Sequence, residues 1–141
     1  MTILPEDLAR CLVLNTVAAS RALLRVGDAR LKPFGVTVQQ LSLLAAIRFH
    51  PGQPVMSLAQ LIALDRTSLT RNLDVLERNG LVRRVANAPK NARVCELTDI
   101  GNPLLDRLLL LWQESQAALM EGISPEDAET YLRISKRLAG G

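Results

Sequence analysis

The spacing of apolar residues changes character once along this chain and then changes back. Up to Arg78 they recur every three to four residues, the period of a helix. Leu81 to Val85 and Val94 to Leu97 are short runs of strand type, joined by a polar loop that holds Pro89. From Thr98 onward the helical spacing returns. The layout therefore sets one small hairpin into an otherwise helical chain. Composition agrees. Aromatics are 3% of the residues (Phe34, Phe49, Trp112 and Tyr131), so Leu, Ile, Val and Ala must build the core, which suits helices better than a β-sandwich. A length of 141 residues is one domain's worth and needs no disulfide or metal staple.

Caps and breakers place the elements. Pro5, Glu6 and Asp7 suit a first helical turn. Leu8, Leu12, Asn15, Ala19, Ala22 and Val26 then form a stripe that predicts one helix to about Lys32, stopped by Pro33 and Gly35. Thr37 caps a second helix to Phe49, and Ser57 a short third one. Asp65 caps a fourth, Arg66 to Arg78, closed by Asn79-Gly80. Thr98-Asp99 opens a fifth helix to about Met120, with a bend expected at Pro103. Ser124-Pro125 opens a sixth to about Leu138.

Several function classes find little to use. No apolar run approaches the ~18 residues of a membrane span, and the acidic start is unlike a signal peptide. Two distant cysteines, Cys11 and Cys95, and one histidine, His50, provide neither a disulfide framework nor a metal or triad motif. Neither a Gly-rich phosphate loop nor a nucleophile–base pair is present. The expectation is a cytoplasmic protein that is not an enzyme and has no cofactor.

Charge is concentrated. Residues 66–93 carry seven basic and two acidic side chains, a net +5 against +3 for the whole chain. Such a block is the footprint of a nucleic-acid contact or simply a solvated, Arg-rich surface. Winding residues 66–78 as a helix gathers Leu69, Leu73 and Leu76 on one side. Thr67, Arg71, Asp74 and Arg78 fall opposite, flanked by Ser68, Thr70 and Val75. Arginine can bond guanine O6 and N7 in a bidentate way, and small hydroxyls reach bases or phosphates. With Arg83, Arg84, Lys90 and Arg93 on the adjoining hairpin, the pattern reads as a winged helix-turn-helix facing DNA.

The residues here also resemble a known family. Ser57 through Leu73, the passage Leu76-Glu77-Arg78-Asn79-Gly80-Leu81-Val82-Arg83-Arg84, and Leu97-Thr98-Asp99-Ile100-Gly101 are similar to the MarR family of transcriptional regulators, as is Leu31 to Leu41. The resemblance covers nearly the whole chain, in order. It implies a mostly α fold with a hairpin wing over 1–141. Residues 37–98 would form the DNA-binding part, and 1–32 with 99–141 a helical dimerisation part. It further implies a homodimer on a palindromic double-stranded operator, usually a repressor, often released by a small-molecule inducer. Carried over as DNA contacts are Thr67, Ser68, Thr70 and Arg71, with Arg66 as a phosphate contact. The wing departs from the family: where Asp-x-Arg is common, this chain has Pro89-Lys90-Asn91, and Arg93 is displaced by two. Lys90 or Arg93 is expected to replace the missing contact.

Leu104, Leu105 and Leu108 to Trp112 make the fifth helix apolar almost all round, which independently favours burial against a second copy. By resemblance, an inducer pocket would lie between the dimer helices and the DNA-binding part. Gly27 stands where the family often has a bulky aromatic; it either opens space for a ligand or is simply tolerated at about 1 kcal/mol. Cys11 lies two residues too early to match the reactive cysteine of peroxide-sensing members, and their tyrosines are absent; packing is the simpler role for it and for Cys95. The alternatives are a thiol-based redox-sensing regulator acting through Cys11 and a winged-helix protein that binds protein instead of DNA.

Overall fold

The computed structural model describes residues 1–86, 88 and 92–140. The described residues form seven α-helices, a 3-10 turn (Lys32–Phe34) and one antiparallel hairpin: α1 (Pro5–Ala9), α2 (Leu12–Leu31), α3 (Val38–Phe49), α4 (Val55–Leu61), α5 (Arg66–Arg78), β1 (Val82–Arg84), β2 (Cys95–Leu97), α6 (Gly101–Met120) and α7 (Pro125–Leu138). The mostly helical, hairpin-bearing class expected from the sequence is the one observed. Two compact units are formed, Met1–Leu105 and Asp106–Gly141, and α6 runs through the boundary.

The N-terminal helix is two helices, not one. Cys11 is extended (φ −66°, ψ 124°) and serves as the N-cap of α2. Asn15, placed by the periodicity on an apolar stripe, holds this break: its Nδ2 donates to the carbonyls of Ala9 at 2.9 Å and Cys11 at 2.8 Å. A side-chain amide thus reaches the Ala9 carbonyl at the α1 end and adds a second bond to the Cys11 carbonyl, which already accepts the Asn15 backbone amide at 3.1 Å.

Gly27 neither opens a pocket nor is merely tolerated. A Cβ there would lie 2.5 Å from Val38 Cγ2, so the glycine lets α2 approach the first turn of α3. Beside it, Asp28 Oδ1 accepts the Val38 amide at 2.8 Å. Thr37 and Gln40 complete the α3 start as a reciprocal capping box, at 3.2 and 3.1 Å.

The third helix begins at Val55, two residues before the expected Ser57 cap. Pro54 is extended and bridges Val94, while the Val55 amide donates to the Arg93 carbonyl at 2.8 Å. The start of α4 is therefore fixed by the hairpin, a distant partner. The turn from α4 to α5 passes through Ala63 at φ 54°, left-handed space that alanine enters at a cost of about 1–2 kcal/mol.

Helix α5 ends as the sequence suggests. Gly80 at φ 73° allows the Leu81 amide to reach the Leu76 carbonyl at 2.9 Å and its own amide to reach Glu77 at 3.0 Å, a Schellman closure. The chain turns into β1, whose Val82, Arg83 and Arg84 pair with Leu97, Glu96 and Cys95. Leu43, Leu44, Leu58, Leu69, Leu73 and Leu76 are fully buried, and α3 packs on α4, α5 and β2.

Thr98 joins the hairpin to α6. Its hydroxyl donates to the Gly80 carbonyl at 2.5 Å and accepts the Gly101 amide at 3.0 Å. A Cβ at Gly101 would collide with the Leu81 carbonyl oxygen. Because α6 starts at Gly101, Pro103 is its third residue, where no intrahelical amide bond is due. The hydrogen-bond loss behind the expected bend does not arise, and the helix continues to Met120. Ser124 caps α7 by accepting the Asp127 amide at 3.1 Å. No described helix is long and apolar enough to cross a membrane.

Candidate nucleic-acid interface

Helix α5 is anchored on one side and open on the other. Leu69, Leu73 and Leu76 are buried; Arg66, Thr67, Thr70, Arg71, Asp74 and Arg78 are exposed. Five of these, Arg66, Thr67, Thr70, Arg71 and Asp74, line one shallow open hollow. The helix-turn-helix thus presents two guanidiniums and two small hydroxyls together near the helix N-terminus.

Asp65 sets that N-terminus. Its Oδ1 accepts the Ser68 amide at 2.7 Å, and its Oδ2 accepts the Ser68 hydroxyl at 3.2 Å. These bonds, the backbone one foremost, hold the Asp65 carboxyl below the ordinary carboxylate value, with the Arg71 charge adding to them. Ser68 is therefore engaged with its own cap and is only partly exposed. The Ser68 amide is likewise occupied.

A polar strut fixes the roll of the helix. Asn72 donates to the Ser68 carbonyl at 2.9 Å and to Gln39 Oε1 at 3.4 Å, and its Oδ1 accepts from Gln40 Nε2 at 3.3 Å. Gln40 is 8% exposed, the one polar residue of the buried set among the described residues. Sequence reasoning missed this strut. The signal was present: Asn72 falls on the same arc as the buried leucines, where a polar group needs a partner.

The wing is less open than expected. Arg93 reaches back to α5, with its guanidinium 3.2 Å from Asp74 Oδ1 and 2.8 Å from Glu77 Oε1, and its side chain is 18% exposed. Burial works against its charge, but the hydrogen bond and field of Glu77, then Asp74, outweigh it and raise the Arg93 pKa. Arg84 lies 3.7 Å from the same Glu77, and Arg83 pairs across the strands with Glu96 at 2.9 Å. Cys95 is buried beside this group, and burial pushes its thiol pKa up, which suits the packing role expected of it. Cys11 is half-buried at the α1–α2 break. Lys90, the other expected wing contact, lies outside the described residues, as do Pro89 and Asn91.

Residues 34–93, which hold the helix-turn-helix and the first strand of the hairpin, match the model of the MarR family. The transcriptional regulator MosR of M. tuberculosis, solved in complex with DNA, is 34% identical over 93% of this chain and 95% of that one, with a TM-score of 0.81. The chain belongs to the MarR family. It has the family's winged-helix architecture, that of transcriptional regulators. Two more distant structures share the fold. MepR of S. aureus, also solved with DNA, is 21% identical over 92% of this chain and 96% of that one (TM-score 0.79). PcaV of Streptomyces coelicolor, solved with its natural ligand, is 19% identical over 100% and 99% (TM-score 0.80).

Proposed function

We propose that this DNA-binding MarR-family regulator acts as a homodimeric, ligand-responsive repressor on a palindromic operator. The observation that carries DNA reading is the exposed face of α5. Arg66, Thr67, Thr70 and Arg71 share one hollow on a helix whose roll is fixed by its leucines and by Asn72. In this reading Arg71 meets a base edge, Thr67 and Thr70 reach bases or phosphates, and Arg66 meets the backbone. Lys90 adds a wing contact. Ser68, through Asp65, holds the helix start in place.

Support for the homodimer comes from the terminal helices. In α2, Leu12, Val13, Leu14 and Leu23 are exposed; in α7, Tyr131, Leu132, Ile134 and Leu138 are. Apolar surface of that extent is the usual mark of an interface. Residues 1–32 and 99–141 would form it, leaving 37–98 for DNA. For the ligand, a hollow of about 250 Å³ between Arg48, Gly52, Val85, Leu97 and Asn102 has room for a small molecule. No group in this reading has a catalytic role.

The test is selection of duplexes from a random-sequence pool by the purified protein at two salt concentrations. A palindrome with half-sites about one helical turn apart is expected. On that duplex, Arg71→Ala is expected to cost about 1–3 kcal/mol and to relax discrimination at one base pair per half-site. Weak, sequence-blind, salt-sensitive retention would overturn the reading and favour a protein-binding role.

A further inference from the structure

The basic stretch of residues 66–93 contains two acids, Asp74 and Glu77, both on the helix that faces DNA. Bare carboxylates there would repel phosphates. One residue of the hairpin engages both: Arg93 spans Asp74 and Glu77 with a single guanidinium nitrogen. The backbone at the same place is tied elsewhere. The Arg93 carbonyl accepts the Val55 amide at the start of α4, and Val94 bridges Pro54. Residues 93 and 94 therefore join three elements, the hairpin, the first helix of the helix-turn-helix and the second.

We infer that Arg93 is a positioning residue, which locks the wing to the recognition helix through Asp74 and Glu77 and does not itself contact DNA. The inference rests on the DNA-reading role of α5. Three observations favour it over a phosphate contact. The side chain is 18% exposed, whereas Arg83 and Arg84 on the same hairpin are 60% and 66% exposed. Its Nε is buried with no partner among the described residues, so the group is not splayed toward solvent. Its backbone is also committed to α4, which leaves it little freedom to swing outward. Ion pairs of this kind add little to global stability; their value lies in fixing one geometry. Here that geometry sets the angle between wing and helix, and so whether both meet one stretch of duplex.

The experiment is a mutant cycle on the duplex that the wild type selects, read as affinity and salt dependence. Arg93→Met is expected to weaken binding roughly ten-fold while leaving the slope of log K against log salt unchanged, since no phosphate contact is lost. In an Asp74→Asn, Glu77→Gln background, Arg93→Met is expected to change affinity less than about two-fold, because the coupled partners are gone. A slope reduced by about one unit would make Arg93 a phosphate contact and overturn the inference. So would an undiminished loss in the neutralised background, or no loss in the single variant. Should Arg93→Met fail to fold, Glu77→Gln tests the link from the other side. A mere charge effect predicts tighter binding when an acid is removed; the lock predicts weaker binding. A wild type that selects no duplex would fail the DNA reading instead. The lock would then be read by amide exchange of Val82–Arg84 and Cys95–Leu97, expected to be faster in Arg93→Met and, if unchanged, to refute it.

Discussion

The winged-helix region and the terminal helices treat their leucines differently. Between Leu31 and Leu108 lie all the buried apolar side chains found among the described residues. Helices α1 and α7 bury none, and α2 buries only Leu31. Both regions are rich in Leu, Ile and Val, so composition does not separate them. The difference is how much of each apolar surface is covered. The winged helix closes on itself, with α3 packed on α4, α5 and β2. The terminal helices keep their apolar faces exposed.

Matched substitutions can break this comparison. Leu44→Ala removes a fully buried side chain of α3 and is expected to cost about 2–5 kcal/mol in denaturant unfolding. A cost under 1 kcal/mol would mean the core is not the closed unit described. Gly101→Ala forces a methyl onto the Leu81 carbonyl and is expected to cost about 1–3 kcal/mol, lowering the melting temperature. Leu132→Asp, on the exposed face of α7, is expected to change intrinsic folding by only about 0.5 kcal/mol, the usual range for surface changes. It should nevertheless shift the sedimenting species from dimer to monomer; an unchanged dimer would place the interface elsewhere. The smallest effect is on the Asp65 cap. Its pKa is depressed in the fold, so its stabilisation is present above the ordinary value of 3.8 and lost as pH falls through the lower folded value. Asp65→Ala should therefore narrow the gap to wild type in melting temperature as pH drops below about that point. A gap independent of pH would refute the cap's charge as the cause.

How much was legible beforehand followed the range of each interaction. The Asp65 cap, the Gly80 closure and the Thr37 cap are written within about five residues, and each was found where the sequence put it; the hairpin, signalled by two short strand-type runs, formed from them as well. What failed was decided by partners far along the chain. Ser57 looked like a cap, but Pro54 and Val94 fix the start of α4. Gly27 could not be interpreted without Val38 against it. Asn15 matched a helical stripe, yet its amide holds a break. On α5, helical winding put Thr67, Thr70 and Arg71 on the outer face, and there the structure exposes them. The ion pairs of Arg93 with Asp74 and Glu77, 19 and 16 residues upstream, were not legible, because only the charge of Arg93 shows in the sequence.

The contact of Gly101 with Leu81 has a mechanical consequence. With no side chain between them, and with Thr98 bonded to both Gly80 and Gly101, the hairpin and the first turn of α6 have no slack to take up. Such a joint is built to pass on a rotation as a keyed shaft does, with little room to bend as a hinge would. A turn at the start of α6 would therefore be felt at Leu81, whose amide is hydrogen-bonded to Leu76 in the last turn of α5.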